Sequence, residues 1–486
     1  MPMKYVAPPP PLSQPFTFHS LSDEQIALLH AASLEILART GARFYDQDAL
    51  DLFRHGGAQV SDGNRVRLPA HLVEWALRAA PKDIAIYNRK GERAMWLGCH
   101  RCYYGVGSDC MFIYDLATGQ RRQAVLNDVV EGVRLVDALP NLDFVMSMFM
   151  PSDAPVETYE AYQTDIMLRE CTKPVVFVGM TLNSTIHSVE MASAIAGGLE
   201  ALERKPFVIN YVNPSNAFHH NQEAVQRLLY AAERNLPTIY IPVAGRGTAA
   251  PMTTAGAMAV GNAGQLAGLV LAQLKREGSP YIRGGAGGGG LDMRTMVSSY
   301  AAPDGGPFGW DVAHHYGLPI FGTAGCSDAK VFDAQAAAEA AISLLTNTLG
   351  GANLIHDIGY LDFAMTGSLE LVAFCDEVIG WIKHYLRPLE ISDETLALDL
   401  TQDIGPDGSF LDTQHTVRHC RESWMPTLMD RQNYERWAES GSTTLQERAN
   451  HKVRKILETH RAEPLSEDVR QALKAIVERA DREAHT

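Results

Sequence analysis

No long basic run occurs anywhere in this 486-residue chain, and acids outnumber bases 57 to 42, for a net charge of −15. That balance argues against nucleic acid as a partner. No apolar stretch is read as reaching the roughly 18 to 20 residues of a membrane span, so no membrane association is expected. Cysteine is sparse and odd in number, at seven. A disulfide framework is therefore not expected, and a reduced cytoplasm is. The opening "MPMKYVAPPPPLSQPFTFHS" has prolines where a signal peptide needs an apolar core, so no export is expected. Catalytic signatures are missing too. There is no H-E-x-x-H, no G-x-S-x-G and no phosphate loop ending in G-K-[ST]. "SDAK" is an S-x-x-K without the S-D-N and K-T-G motifs that would give it meaning. "CHRC" (Cys99 to Cys102), with Cys110 downstream, has spacing that zinc could use, but no fourth ligand or second pair is evident. No protein-bound metal is expected.

What the chain does have is rhythm. "LSDEQIALLHAASLEILARTG" sets Ser22 before an apolar-periodic run and Gln25 three residues later, a capping box that predicts a helix from about Asp23 to Arg39. "LPAHLVEWALRAAP" predicts another. Residues 1 to 100 read as a mainly helical region with a proline-rich arm. From residue 101 short apolar runs appear: "CYYGVG", "LDFVMSMF", "PVVFVG", "PFVINYV", "PTIYIPV", "PYIRGG", "LPIFGT" and "ANLIHD". Segments of helical period separate most of them. Apolar strands without alternation suit a parallel sheet buried on both faces. Eight such alternations across residues 101 to 387 predict an α/β fold, a (β/α)8 TIM barrel. A doubly wound open sheet is the runner-up, but no G-x-G-x-x-G follows the first strand. Residues 388 to 486 read as a helical C-terminal region.

In such a barrel the chemistry sits at the C-terminal ends of the strands. These ends are rich in Gly, Asn, Ser and Asp and lack a dense set of acids or histidines. One is "YIRGGAGGGGLDM", where six of the seven residues from Gly284 to Gly290 are glycine. Another is "HDIGYLDF", a His356–Asp357 pair followed by Tyr360 and Phe363. It can anchor a substrate, or it can simply cap a loop and a helix. Aromatics also cluster at Tyr103 and Tyr104, at Tyr159 and Tyr162, and at Phe16 and Phe18. Several rings around one pocket would form a cation–π cage for a quaternary ammonium.

"LSDEQIALLHAASLEILARTGARF", "YYGVGSD", the glycine run, "GTAGCSDAK" with "DAQAAAEAA", "NLIHDIGYLD" and "ESWMPTLMDRQNYERW" together resemble the trimethylamine methyltransferase family, over about residues 20 to 460. The resemblance implies a TIM barrel that passes a methyl group from an amine nitrogen to the Co(I) of a corrinoid (cobalamin) carried by a separate corrinoid protein. The founding members carry pyrrolysine, and this sequence has none. It is therefore similar to the branch of glycine betaine:corrinoid methyltransferases, acting on quaternary amines. Another betaine, carnitine or a sulfonium compound is an open alternative, as are a non-catalytic quaternary-amine-binding barrel and a zinc-thiolate methyltransferase using Cys99, Cys102 and Cys110. On this reading His356 and Arg283 hold a substrate carboxylate. Tyr103, Tyr360 and Phe363 form the cage, with Tyr104, Gln163, Phe16 and Phe18 as further substrate contacts. Gly287, Gly288, Gly289 and Gly290, with Asp328, form a rim for the corrin ring, since glycine lets backbone approach a flat macrocycle without Cβ clashes. A homo-oligomer is expected.

Overall fold

The computed structural model describes residues 18–285, 290–301 and 307–484. Its centre is a seven-stranded, all-parallel sheet. In chain order the strands are β1 (Tyr103–Tyr104), β2 (Val175–Val178), β3 (Val208–Val212), β4 (Thr238–Tyr240), β5 (Tyr281–Gly284), β6 (Ile320–Thr323) and β7 (Leu354–His356). Across the sheet they run β1–β7–β6–β5–β4–β3–β2. Helices fill the crossovers, among them Gln222–Glu233, Thr254–Lys275, Pro307–Tyr316 and Ala334–Leu349.

Seven of the eight apolar runs form these strands. The second, "LDFVMSMF", makes only single parallel bridges, Phe144 to Gly105 beside β1, Val145 to Val175 in β2 and Phe149 to Cys110. The reason is local. The Asp143 carboxylate accepts from the Tyr104 N–H at 2.9 Å, so a side chain occupies a place that a ladder bond would fill. Five residues on, Met148 stands at φ 62°, which turns the chain away. Both edges of the seven-stranded sheet thus touch the same short segment.

The first helix forms at Asp23–Arg39. Ser22 Oγ accepts from Gln25 N–H and Gln25 Oε1 accepts from Ser22 N–H, which closes the anticipated capping box. This helix, Gln47–His55 and Ala70–Ala79 pack against Thr254–Lys275. That 22-residue helix is long and apolar enough to cross a membrane, contrary to the reading that no such stretch exists, but its most apolar window is 89% buried inside the protein. The covering helices explain its composition: it is apolar all round because protein surrounds it. At the other end of the chain, Leu445–Thr459 and Glu467–Ala484 lie on the helices Leu369–Tyr385 and Leu182–Ala196.

Candidate active site at the strand ends

β7 ends at His356, and the next residue, Asp357, takes a left-handed φ of 69°. That kink, costly for a residue with a Cβ, brings its carboxylate back over the sheet. Gly107, just beyond β1, makes room: a Cβ there would meet Asp357 Oδ1 at 2.1 Å and the Tyr360 hydroxyl at 2.2 Å. From the long connection after β5, Tyr300 donates its hydroxyl to Asp357 Oδ2. Tyr360 accepts from the Asp109 N–H at 2.8 Å. Residues from 107 to 360 in sequence thereby meet at one place.

Two carboxylates face this site. Asp357 is buried, and burial pushes its carboxyl up to about 7. Asp109 opens to solvent in the concave mouth. Its protein surroundings still hold it above the usual carboxylate range, and the Asp357 charge adds to this. His356 is pushed down to about 4 by burial, so its ring is neutral. Nδ1–H donates to the Gly322 carbonyl at 2.7 Å, which leaves the Nε2 lone pair 3.2 Å from Asp357 Oδ2. The arrangement is satisfied throughout when one proton sits between Nε2 and Oδ2, with Tyr300 donating to Asp357 and His356 donating to Gly322.

Aromatic rings wall the site. His356 stacks on Phe321 with centroids 3.7 Å apart, Phe321 meets Tyr211 edge-on at 5.8 Å, and Tyr300 lies 6.5 Å from Tyr360. Acids beside π-faces suit a cation.

The residues anticipated from the sequence scatter. His356 and Tyr360 are at this site. Arg283 is not: its Nε donates to Gln265 Oε1 at 3.0 Å and its guanidinium lies over the Tyr316 ring. It belongs to the layer between the sheet and the helices Thr254–Lys275 and Pro307–Tyr316. There Nη2 is buried without a hydrogen-bond partner. Tyr104 also faces a helix, sharing a 2.8 Å bond with Thr348 Oγ1. The Tyr103 hydroxyl accepts from Trp96 N–H, toward the hairpin Ile84–Tyr87/Arg93–Leu97. Gln163 is spent on the Phe149 carbonyl, and Tyr162 on Asp481. Phe18 bonds the Leu349 carbonyl, at the C-terminus of the helix that leads into β7, so it lies at the opposite end of the sheet from His356. Phe363 is at the rim, under the Lys330 ammonium at 3.7 Å. Asp328 is an anchor: its carboxylate accepts from Ser299 Oγ, Tyr300 N–H and Ala301 N–H. Gly290 packs toward Met252 and Arg246. Phe16 and Gly287 to Gly289 lie outside the described residues. Cys99 is exposed while Cys102 and Cys110 are buried, and the Cys102 thiol donates to the His100 and Thr348 carbonyls. Among the described residues, the side-chain group close enough to share a metal is Glu394, His415 and His419, far along the chain from the cysteines.

Asp109, Tyr211, Tyr300 and Phe321 were not singled out from sequence. Asp109 follows β1 closely and Tyr211 lies near the end of β3, so position alone was a signal for both. Tyr300 gave none.

The model of the family described as trimethylamine methyltransferase matches residues 6–485. The chain belongs to the trimethylamine methyltransferase family. Within it, the chain is 29% identical over 473 residues to the trimethylamine methyltransferase MttB of Desulfitobacterium hafniense strain DSM 10664 / DCB-2, covering 96% of this chain and 95% of that one. It is likewise 29% identical over 472 residues to the glycine betaine methyltransferase of D. hafniense strain Y51, covering 96% and 98%. Among solved structures it is similar to the monomethylamine methyltransferase MtmB of Methanosarcina barkeri, with a TM-score of 0.48, 13% identity, and 92% and 89% of the two chains covered. Membership of this family makes the chain an enzyme, a methyltransferase.

Proposed function

We propose that this methyltransferase moves a methyl group from a quaternary amine to the cobalt of a corrinoid borne by a separate protein. The observation that carries the reading is the pairing of Asp109 and Asp357 with the rings of Tyr211, Tyr300, Phe321 and Tyr360, a setting for a positive charge that needs no proton. Of the substrates named for the two Desulfitobacterium relatives, glycine betaine has the quaternary nitrogen. The absence of pyrrolysine points the same way.

The mouth fits such an acceptor. Met111, Met150, Met180, Met252, Met293 and Met365 are exposed in the stretches that follow β1, the Phe144 segment, β2, β4, β5 and β7. Thioether side chains give an apolar, deformable rim against which a broad macrocycle can lie. The corrinoid, in its Co(I) state, supplies the nucleophile. The chain's own residues do the rest. The rings exclude water from the ammonium and fix which methyl group points outward, and positioning of this kind is worth several kcal/mol. The acids hold the cation in place before transfer. The departing tertiary amine is neutral, so no general acid has to act on it. Under the same proposal the sheet closes through the segment around Phe144 as an eight-stranded (β/α)8 barrel over residues 101–387, flanked by 1–100 and 388–486. The enzyme is cytoplasmic and homo-oligomeric.

The test is methyl transfer to reduced cobalamin by purified protein. Quaternary amines should be demethylated and trimethylamine should be inert. Robust trimethylamine turnover would refute the reading.

A further inference from the structure

Within the proposed quaternary-amine site, the balance of charge is lopsided. Asp109 and Asp357 both face it, while Arg227, buried behind Tyr211, donates to the Gly179 and Tyr211 carbonyls and to neither acid. Among the described residues no lysine or arginine makes a hydrogen bond or ion pair with either carboxylate. Among the described residues the one charge-pair partner within reach of Asp357 is His356, which burial keeps neutral. The other titratable groups around Asp357 are hydroxyls and thiols: Tyr300, Tyr360 and Tyr211, with Cys110 and Cys326. All five are held above their usual range, and so uncharged. Arg283 is committed to the helix layer beside Gln265. At the rim, Lys330 and Arg121 both engage Asp362, and Arg246 Nε donates to the Met252 carbonyl. Neither internal stretch, 286–289 (Ala-Gly-Gly-Gly) nor 302–306 (Ala-Pro-Asp-Gly-Gly), contains a basic residue, and Arg294 on the connection that joins them pairs with Asp292.

A zwitterion such as a betaine brings its own carboxylate. Placed here, that group would meet two acids and no cationic donor, which is unfavourable. A methylated ammonium whose remaining substituent is uncharged meets only attraction. We propose that the substrate of this enzyme is a quaternary ammonium ion of net positive charge, carrying a neutral or hydroxylated arm in place of a carboxylate.

This rests on the quaternary-amine reading above and sharpens it. It also predicts a linked proton. A bound cation favours the ionised carboxylate, so binding to the free enzyme near pH 7 releases protons to the buffer, and affinity rises with pH between 6 and 8.

The experiment is calorimetry on the full chain with four probes: tetramethylammonium, choline, glycine betaine and the neutral choline isostere 3,3-dimethylbutan-1-ol. Each is titrated in two buffers of different ionisation enthalpy. Tetramethylammonium or choline should bind at least tenfold more tightly than glycine betaine and release protons, while the neutral isostere releases none. Asp109→Asn, at a position open to solvent and so tolerable to the fold, should cut cation affinity at least tenfold and narrow the gap to betaine. Glycine betaine binding as tightly as the cations, or cation binding without proton release, overturns the proposal. The two readings fail separately. If the cations bind in this order but no quaternary amine methylates cobalamin, the methyl-transfer function falls and the charge preference stands. If glycine betaine binds best and is demethylated, the function stands and the charge preference falls.

Discussion

Replacing Asp357 with asparagine should make the protein more stable and the enzyme much worse. Burial holds the Asp357 carboxyl at about 7 in the folded state, against about 3.9 unfolded. Its folded value is raised, so the folded state holds a proton that the unfolded state has lost throughout the window between those two values. Stability therefore falls as pH rises from about 4 to about 7, and is flat above. At about 1.4 kcal/mol per unit the full loss is about 4 kcal/mol. Asparagine does not ionise and escapes it. It forfeits something, because one Oδ2 atom faces both the Tyr300 hydroxyl and His356 Nε2, and one amide atom cannot serve both. That costs about 1 kcal/mol. Asp357→Asn should thus gain about 3 kcal/mol at pH 8 and lose about 1 kcal/mol at pH 4. The measurement is denaturant unfolding at both pH values. The cation meanwhile loses a partner. At an effective dielectric of about 20 and a separation of about 5 Å, one charge pair is worth about 3 kcal/mol, so cation affinity should drop roughly a hundredfold. A variant equally destabilised at both pH values would show that Asp357 is an ordinary ionised carboxylate, and the argument would fail.

Gly107→Ala should abolish methyl transfer while leaving the unfolding free energy within about 2 kcal/mol of wild type, because the new Cβ displaces Asp357 and Tyr360 at the strand ends and not the core of the sheet. Kinetics and denaturation on one preparation check it, and activity above a tenth of wild type would count against the geometry. Arg283→Met should leave ammonium affinity within about threefold of wild type and should not lower stability by more than about 1 kcal/mol, since a buried guanidinium with an unpartnered Nη2 gives way to an apolar chain of similar length. A tenfold loss of binding would bring Arg283 back into the site.

The elements were legible where one local rule governed them. Ser22 and Gln25 marked the first helix because capping is a contact between residues three apart. Strand identity was legible from apolar runs, but strand parity was not. In a sheet buried on both faces, lumen-facing and helix-facing side chains are equally apolar, so "YIRGG" offers no sign that Ile282 enters the central core while Tyr281 and Arg283 turn to the helices. The same blindness misassigned Tyr104. His356 and Tyr360 could be found because they follow a strand end closely. Tyr300 could not, since it lies beyond a hairpin and reaches Asp357 from the tip of a long connection. Asp328 looked like a ligand for an outside molecule and is consumed within the chain. Sequence shows that a carboxylate exists, but not which donors have already claimed it.

That consumption separates two properties of the chamber. Asp109 and Asp357 stand directly beyond the sheet, so the sign of the field is set by the framework. Tyr300 is held through the three bonds from Ser299, Tyr300 and Ala301 to Asp328, on a connection that the sheet does not build. Substitutions, insertions or deletions between residues 290 and 298 can reshape that wall while the acids and the Asp328 clasp stay in place. Charge and contour are thus free to drift at different rates. A lineage built on this arrangement can move among methylated cations of different bulk by exchanging a handful of residues, without touching the strands that make the catalyst fold.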